Sequence, residues 1–207
     1  MRTYVYVDAF NLYYGCLKGT PYRWLDLHKL CLLLLPKHDI QRIKYFTARV
    51  GAWPNDPDQP TRQQLYLRAL RTLPMVEIHY GHYLSHAVNM LLVNPPPGSP
   101  RMVRVIKTEE KGSDVNLATH LVSDAYENSF DAAVLITNDS DLLGPVQLVT
   151  SRLGKTVGIL NPQKHPAVVL RNAAMFFKQI RPGVLKLSQF APTLTDATGG
   201  FHKPAVW

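Results

Sequence analysis

The chain of 207 residues is long enough for one substantial domain built on a single hydrophobic core. A hydrophobic fraction of 46%, a charged fraction of 18% and a mean hydropathy of -0.10 exclude a disordered chain. The 23 lysines and arginines outnumber the 15 acidic residues, and the formal net charge of +8 favours polyanionic partners. Because the basic residues are dispersed along the chain, composition alone leaves an ordinary basic protein equally open.

The N-terminus and the cysteines indicate neither export nor a metal-thiolate site. A β-like run begins at Thr3, so no charged and apolar leader precedes it. The most apolar segment, residues 30–35, is far shorter than the roughly 20 residues that cross a bilayer. Cys16 and Cys31 lack the spacing of a zinc site or a disulfide framework. We therefore expect a cytoplasmic protein with reduced thiols and no membrane partner.

Short apolar runs alternate with longer stretches of helical period, a pattern typical of a parallel sheet covered on both faces. The predicted strands are, in chain order, 4–7, 43–50, 76–83, 132–137 and 155–160. The predicted helices are 26–35, 61–73, 113–128, 141–153 and 168–178. Segments 85–93 and 102–107 form a hairpin or an irregular excursion around a proline-rich loop. We predict an α/β fold, a three-layer α/β/α sandwich with a mostly parallel central sheet, over residues 1–185, followed by a C-terminal tail, 186–207.

Asp8 follows the first predicted strand, at the edge where a parallel sheet usually holds its ligand. A single aspartate after a strand more often caps the next turn by accepting a backbone N–H, so capping is the stronger interpretation of Asp8 taken alone. Asn11 has the same ambiguity.

Asp139 and Asp141 follow the strand 132–137 within the sequence Asn-Asp-Ser-Asp. One of them can cap the following helix, where negative charge is favourable. Two carboxylates about 4–5 Å apart repel by a few kcal/mol at an effective dielectric near 20. The presence of both carboxylates in one turn therefore favours a bound cation over capping alone.

Asp114 opens the clearest amphipathic helix, behind the polar turn 109–113. Ser113 is the expected N-cap and Asp114 lies in the first turn, so favourable capping explains it locally. In a doubly wound sheet, however, strand ends and the helix starts above them face one crevice. The four aspartates are therefore predicted to meet there.

Three segments resemble the signature blocks of the NYN family of PIN-like proteins, in order and spacing. They are Val-Asp-Ala-Phe-Asn-Leu-Tyr-Tyr at 7–14, Glu-Lys-Gly-Ser-Asp-Val-Asn-Leu-Ala at 110–118 and Leu-Ile-Thr-Asn-Asp-Ser-Asp-Leu at 135–142. The segment 154–158 resembles the strand that follows in that family. Ala9 departs from the motif, in which a glycine is common.

The resemblance implies a PIN-like sandwich that hydrolyses RNA phosphodiesters with Mg²⁺ or Mn²⁺. It assigns the catalytic and metal-binding roles to Asp8, Asp114, Asp139 and Asp141. Aspartate oxygens suit a hard cation that keeps some of its waters. The supporting groups would be Asn11, Ser113, Asn138 and Ser140.

RNA would be held by basic residues beside the acidic crevice. Arg49, Lys107 and Lys111 are the candidates, because each adjoins a strand end or a signature block. Tyr13 and Tyr14 could stack on unpaired bases, although adjacent aromatics early in a helix more often serve packing.

Two alternatives compete with a ribonuclease. One is a catalytically silent PIN-like module that binds RNA or docks a protein, since fold does not settle activity. The other, a phosphatase with an Asp-x-Asp after its first strand, is disfavoured because position 10 is Phe10. No Walker loop or GxGxxG cradle is present. The sequence does not decide whether the substrate is RNA or DNA, whether cleavage is endo- or exonucleolytic, or whether one or two metals bind. It also leaves a homo-oligomer open.

Overall fold

A six-stranded parallel sheet organises the computed structural model, which describes residues 1–207. Numbered along the chain, its strands lie in the spatial order β3 (Val76–Tyr80), β2 (Asp39–Thr47), β1 (Arg2–Asp8), β6 (Ala132–Ile136), β7 (Thr156–Asn161) and β8 (Phe176–Gln179). Every pairing between these neighbours is parallel. The predicted parallel sheet is confirmed, with β1 at its centre.

Helices cover both faces of this sheet. They are α1 (Ala9–Leu12), α2 (Leu27–Leu34), α3 (Gln59–Arg71), α4 (Ser113–Tyr126), α5 (Leu143–Gln147), α6 (Val168–Ala173) and α7 (Pro182–Leu187). A π-helical turn, Tyr13–Leu17, continues α1; a 3-10 turn, Ser140–Leu142, precedes α5, and a second π-helical turn, Leu148–Arg152, follows it. None of the helices has the length and apolar character needed to span a bilayer.

Two hydrophobic cores lie on opposite sides of the sheet. Val5 and Val7 of β1 belong to the core under α1, α2, α3 and α7. Tyr6, between them, belongs to the core under α4, α5 and α6. Successive side chains of a strand point to opposite faces, so a central strand buried on both sides must be apolar throughout. The predicted three-layer sandwich is therefore confirmed.

Two hairpins lie outside the main sheet. The first, β4 (His82–Leu91) and β5 (Met102–Lys111), is a mostly exposed antiparallel ribbon. The second, β9 (Thr193–Asp196) and β10 (Gly199–His202), lies in the segment predicted as a tail, and it brings Phe201 into the first core. The hairpin interpretation of 85–107 is confirmed, but Glu109 and Glu110 continue β5 rather than forming a turn.

The predicted last helix, 168–178, is wrong in its second half. The helix ends at Ala173, and β8 then pairs with β7. Gly158 of β7 explains the change, because a Cβ there would lie 2.0 Å from the Phe176 ring. The glycine leaves room for an aromatic edge strand, and this tertiary contact overrides the helical period.

Candidate functional site

Asp8 is the last residue of β1 and is only 3% exposed. One of its oxygens, Oδ1, accepts the Asn11 backbone N–H at 2.9 Å. The other, Oδ2, accepts the Asn11 amide at 2.7 Å and the Thr137 hydroxyl at 3.0 Å. Asp8 therefore does cap α1, as its local sequence favoured. A carboxylate has about four lone-pair sites, so capping still leaves Oδ1 able to accept another partner.

Thr137 connects Asp8 with the loop that follows β6. Its hydroxyl donates to Asp8 and accepts the Asp139 backbone N–H at 3.1 Å. Asp139 in turn caps the 3-10 turn, and its Oδ1 accepts the Asp141 N–H at 3.0 Å. The carboxylate of Asp139 is half-buried and that of Asp141 is exposed. One hydroxyl therefore fixes the loops after two adjacent strands.

Asn11 and Asn138 extend this connection to a third loop. The Asn138 N–H donates to Asn11 Oδ1 at 3.3 Å. The Asn138 side chain accepts the Ala167 N–H at 2.7 Å and donates to the His165 carbonyl at 3.0 Å. Both asparagines thus hold the backbone around the acidic residues. Ser140, also expected to support the site, is exposed and its hydroxyl makes no hydrogen bond within the protein.

The start of α4 differs from the prediction. The N-cap is Gly112, whose φ of 95° favours glycine, and Ser113 is the first helical residue. The Glu110 carboxylate accepts the Ser113 N–H at 3.0 Å and its hydroxyl at 2.8 Å. A Cβ on Gly81 would lie 2.3 Å from Glu110 Oε1, so the base of the hairpin packs closely on this turn. Asp114 is fixed in the first turn of α4 by these contacts.

Two of the carboxylates at this edge, those of Asp114 and Asp8, have raised pKa values. Partial burial raises the pKa of Asp114 to about 6, and the charges of Asp8, Asp139, Glu110 and Asp141 add to the shift. Burial also raises the pKa of Asp8, although its hydrogen bonds oppose this and Asp139 reinforces it. None of the four predicted aspartates joins an ion pair. The structure thus gathers them into one uncompensated acidic field, which we call the acidic edge.

The donors of the acidic edge fit a hydrated hard cation better than a closed metal cage. Among all 207 residues, no three His, Cys, Asp or Glu side chains form a ready-made metal site. The carboxylates of Asp114 and Asp141 accept no hydrogen bond from the protein, and Asp139 uses only Oδ1. Mg²⁺ commonly keeps several waters and binds one or two carboxylates. These oxygens suit such an ion.

The predicted RNA-binding residues divide into two groups. Lys107 and Lys111 lie on β5 and share one acid, at 2.8 and 3.6 Å from the oxygens of Glu109. Lys111 precedes the turn that carries Asp114. Arg49 follows β2, is exposed, and lies over the Tyr80 ring at 5.2 Å.

An aromatic-lined cavity of about 90 Å³, partly open to solvent, lies beside the acidic edge. Its aromatic walls are Phe10, Tyr13, Tyr14, Tyr45, Tyr66 and Trp207. Two guanidinium groups, those of Arg23 and Arg62, also line it. We call this space the aromatic cavity.

Sequence reasoning missed several of these groups. The sequence pattern marks Thr137 only as a strand end, although a polar residue that closes an apolar strand before two aspartates is a usable signal. The same pattern places Glu110 in a turn. Arg23 and Trp207 are 184 positions apart in the chain, and no local pattern could have joined them in one cavity.

Comparison with known proteins agrees with this architecture. The model of the NYN domain family matches residues 2–180. A relative from Pseudomonas putida (strain DSM 28022 / S16), named 6-hydroxy-3-succinoylpyridine 3-monooxygenase HspA, is 36% identical over 186 residues. That match takes in 78% of this chain and 60% of the relative, so the chain spans less than two thirds of the relative's length.

A crystal structure of a protein of unknown function from Vibrio parahaemolyticus RIMD 2210633 superposes with a TM-score of 0.58 and 18% identity. The match covers 87% of this chain and 93% of the other. At this identity the likeness concerns the fold alone.

Proposed function

Because the chain belongs to the NYN domain family, whose fold is nuclease-like, we propose that it hydrolyses RNA phosphodiesters with the help of Mg²⁺ or Mn²⁺. The observation that carries this proposal is the acidic edge. Four aspartates lie at the carboxyl ends of β1 and β6 and at the start of α4, and none of them has a cationic partner. A bound cation would offset the mutual repulsion of such a cluster when all four are ionised.

Each acidic residue has a distinct part in the proposed reaction. Asp8 is buried and oriented by Asn11 and Thr137, so it would bind the ion in one fixed direction. Asp114 and Asp139, both half-buried, would complete the ion's protein ligands, and the exposed Asp141 would bind through water. A bound ion would supply activation of a water and stabilisation of charge on the phosphoryl oxygens.

The polar residues around the aspartates would hold the site rigid during the reaction. Thr137 sets the distance between the loops of Asp8 and Asp139, and Asn138 ties the second loop to residues 165–167. Rigid orientation of this kind avoids reorganisation when charge develops on the phosphate. Lys111, Lys107 and Arg49 would contact phosphates further along the RNA.

Single substitutions test the proposal. Asp8→Asn and Asp139→Asn are expected to cut single-stranded RNA at least about 100-fold more slowly than the wild type in Mg²⁺ or Mn²⁺. Asp131→Asn is the matched control, because Asp131 lies at the opposite end of β6 and pairs with Arg2 at 3.0 Å. Undiminished cleavage by either folded variant, or no cleavage by the wild type with either metal, would overturn the proposal.

A second candidate function comes from the Pseudomonas relative. Oxygenation of an aromatic heterocyclic acid, the reaction class in that protein's name, would use the aromatic cavity beside Asp8. The reaction requires O₂ and a two-electron reductant such as a reduced nicotinamide. Oxygen uptake dependent on 6-hydroxy-3-succinoylpyridine and reductant, without RNA cleavage, would favour it over hydrolysis. RNA binding without either activity would favour a silent binding module.

A further inference from the structure

The aromatic cavity has the composition of a ring-binding site rather than of a packing defect. Tyr14 is 57% exposed at its mouth and meets Tyr13 edge-on at 5.2 Å. Trp207 also lines the cavity, and its ring lies 6.2 Å from that of Trp24 and 6.0 Å from that of Tyr66. Aromatic side chains that are held against one another in this way provide both ring faces and ring edges for a planar ligand.

One positive charge in the cavity has no acidic partner. Arg62 is neutralised by Asp56, whose two oxygens lie 2.6 Å from the same nitrogen. Arg23 instead donates to the carbonyls of Thr20 and Val206 and lies 5.6 Å from the centre of the Trp207 ring. Its guanidinium is therefore positioned by neutral groups and keeps its charge for an anionic ligand.

The position of the cavity links it to the acidic edge. Ala9 and Phe10, which line it, directly follow Asp8 in the chain. Phe46 of β2 is the register partner of Asp8, and Thr47, the next residue, also lines the cavity. The backbone that lines the cavity is therefore continuous with Asp8, the first residue of the acidic edge.

From these observations we propose that the aromatic cavity binds the unpaired base of one nucleotide, with a phosphate near Arg23. The chemistry recognised is a planar aromatic ring that carries an anionic group; the choice of RNA as its source rests on the proposed function. A cavity of this small volume, about 90 Å³ and partly open to solvent, limits the bound group to a single ring system.

Calorimetry on the full chain in EDTA tests the inference without any cleavage. The probes are 5′-AMP and 5′-UMP, with adenosine as a ring without an anion, ribose 5-phosphate as an anion without a ring, and nicotinate as a free aromatic acid. AMP and UMP are expected to bind more tightly than adenosine or ribose 5-phosphate. Tyr14→Ala should weaken AMP binding about tenfold through lost stacking. Arg23→Gln should weaken AMP about tenfold and leave adenosine unchanged.

Matched controls lie far from the cavity in the chain. Tyr126→Ala removes a tyrosine that is 81% exposed at the end of α4, and Arg101→Gln removes an exposed arginine at the tip of the first hairpin. Neither should change AMP binding, and circular dichroism checks that all four variants fold.

The outcomes separate this inference from the proposed hydrolysis. RNA cleavage with no nucleotide binding, or AMP binding that ignores both cavity variants, would overturn the cavity inference alone. Binding of nicotinate but of neither nucleotide, lost in both variants, would overturn the nucleotide as the source of the ring. Nucleotide binding that depends on Tyr14 and Arg23, in a protein that cuts no RNA with either metal, would support the cavity and contradict the hydrolysis.

Discussion

Two polar clusters contact the central strand β1, and they differ in how their charges are balanced. In the first, inside the core under α4, Lys44 donates to Asp124 at 2.6 Å and the Tyr6 hydroxyl donates to the same oxygen at 2.7 Å. Lys44 is 6% exposed, yet its charge faces a carboxylate. The second cluster is the acidic edge, which begins two residues later, at Asp8. None of its four aspartates pairs with a positively charged side chain.

The difference separates a cluster whose charges are paired within the protein from one whose carboxylates form no ion pair. The core cluster satisfies its charges internally, and an apolar replacement of such a pair can be nearly neutral for stability. In the acidic edge, burial raises the pKa of Asp114 and of Asp8, neighbouring carboxylates add to both shifts, and no ion pair opposes them. A cation would lower the free energy of the second cluster and would find no place in the first.

The largest expected effect comes from breaking the core cluster. Asp124→Ala leaves the buried Lys44 charge and the Tyr6 hydroxyl without their shared acceptor. We expect a loss of about 3–5 kcal/mol in the free energy of unfolding, measured by urea titration. The double variant Lys44→Met, Asp124→Leu should lose less, because no unpaired charge remains. A double variant less stable than Asp124→Ala would show that the pair itself is a net stabiliser.

A smaller effect is expected where the acidic edge depends on a neutral group. Thr137→Val keeps the shape of the side chain but removes the hydrogen bonds to Asp8 and to the Asp139 N–H. We expect about 1–2 kcal/mol of destabilisation and RNA cleavage about tenfold slower, as for other residues that orient metal ligands.

Thr119→Val is the control, since this exposed hydroxyl bonds only to the Val115 carbonyl one turn earlier in α4. Its stability should stay within about 0.5 kcal/mol of the wild type. If Thr137→Val cleaved RNA at the wild-type rate, the hydroxyl would have no part in orienting Asp8.

Sequence patterns predicted the fold where burial decides the structure. The run at β6 is buried at every position, and its apolar character was sufficient to identify a central strand. The prediction for the segment after α6 was wrong because local burial does not decide its structure. Phe176 and Phe177 fit a helical period as well as a strand, and the decision rests on the space that Gly158 leaves. Contacts between distant residues are invisible to a local period.

The acidic edge was predictable residue by residue, but its electrostatics were not. The motifs placed Asp8, Asp114 and Asp139 at strand ends and a helix start, where the structure has them. Their mutual charge effects and the contribution of Glu110 depend on the turn at Gly112 and on the close approach of Gly81. The aromatic cavity could not be predicted, because Arg23 and Trp207 meet only in the folded chain.

The smallest expected effect has the opposite sign to the others. The pKa of Asp114 is about 6 in the folded protein, above the ordinary 3.8, so the native state holds more protons than the unfolded state between these values. Stability therefore falls as pH rises from about 4 to 6, and the penalty is complete at pH 7. In EDTA, Asp114→Asn should stabilise the protein at pH 7 by about 1 kcal/mol, after screening of this half-exposed group.

The stabilisation should shrink below about pH 4 and vanish by about pH 3, which is below the pKa of this carboxyl in both states. Asp131→Asn should behave oppositely. Arg2 lowers the pKa of Asp131, so the wild type has this favourable interaction above about pH 4 and the variant lacks it there. Thermal unfolding of the wild type and both variants from about pH 3 to 8 measures how each stability difference depends on pH. Saturating Mg²⁺ should then stabilise the wild type more than Asp114→Asn, because the ion removes the repulsion that the substitution has already removed. Equal stabilisation of both proteins would place the ion away from Asp114 and detach this carboxylate from the proposed site.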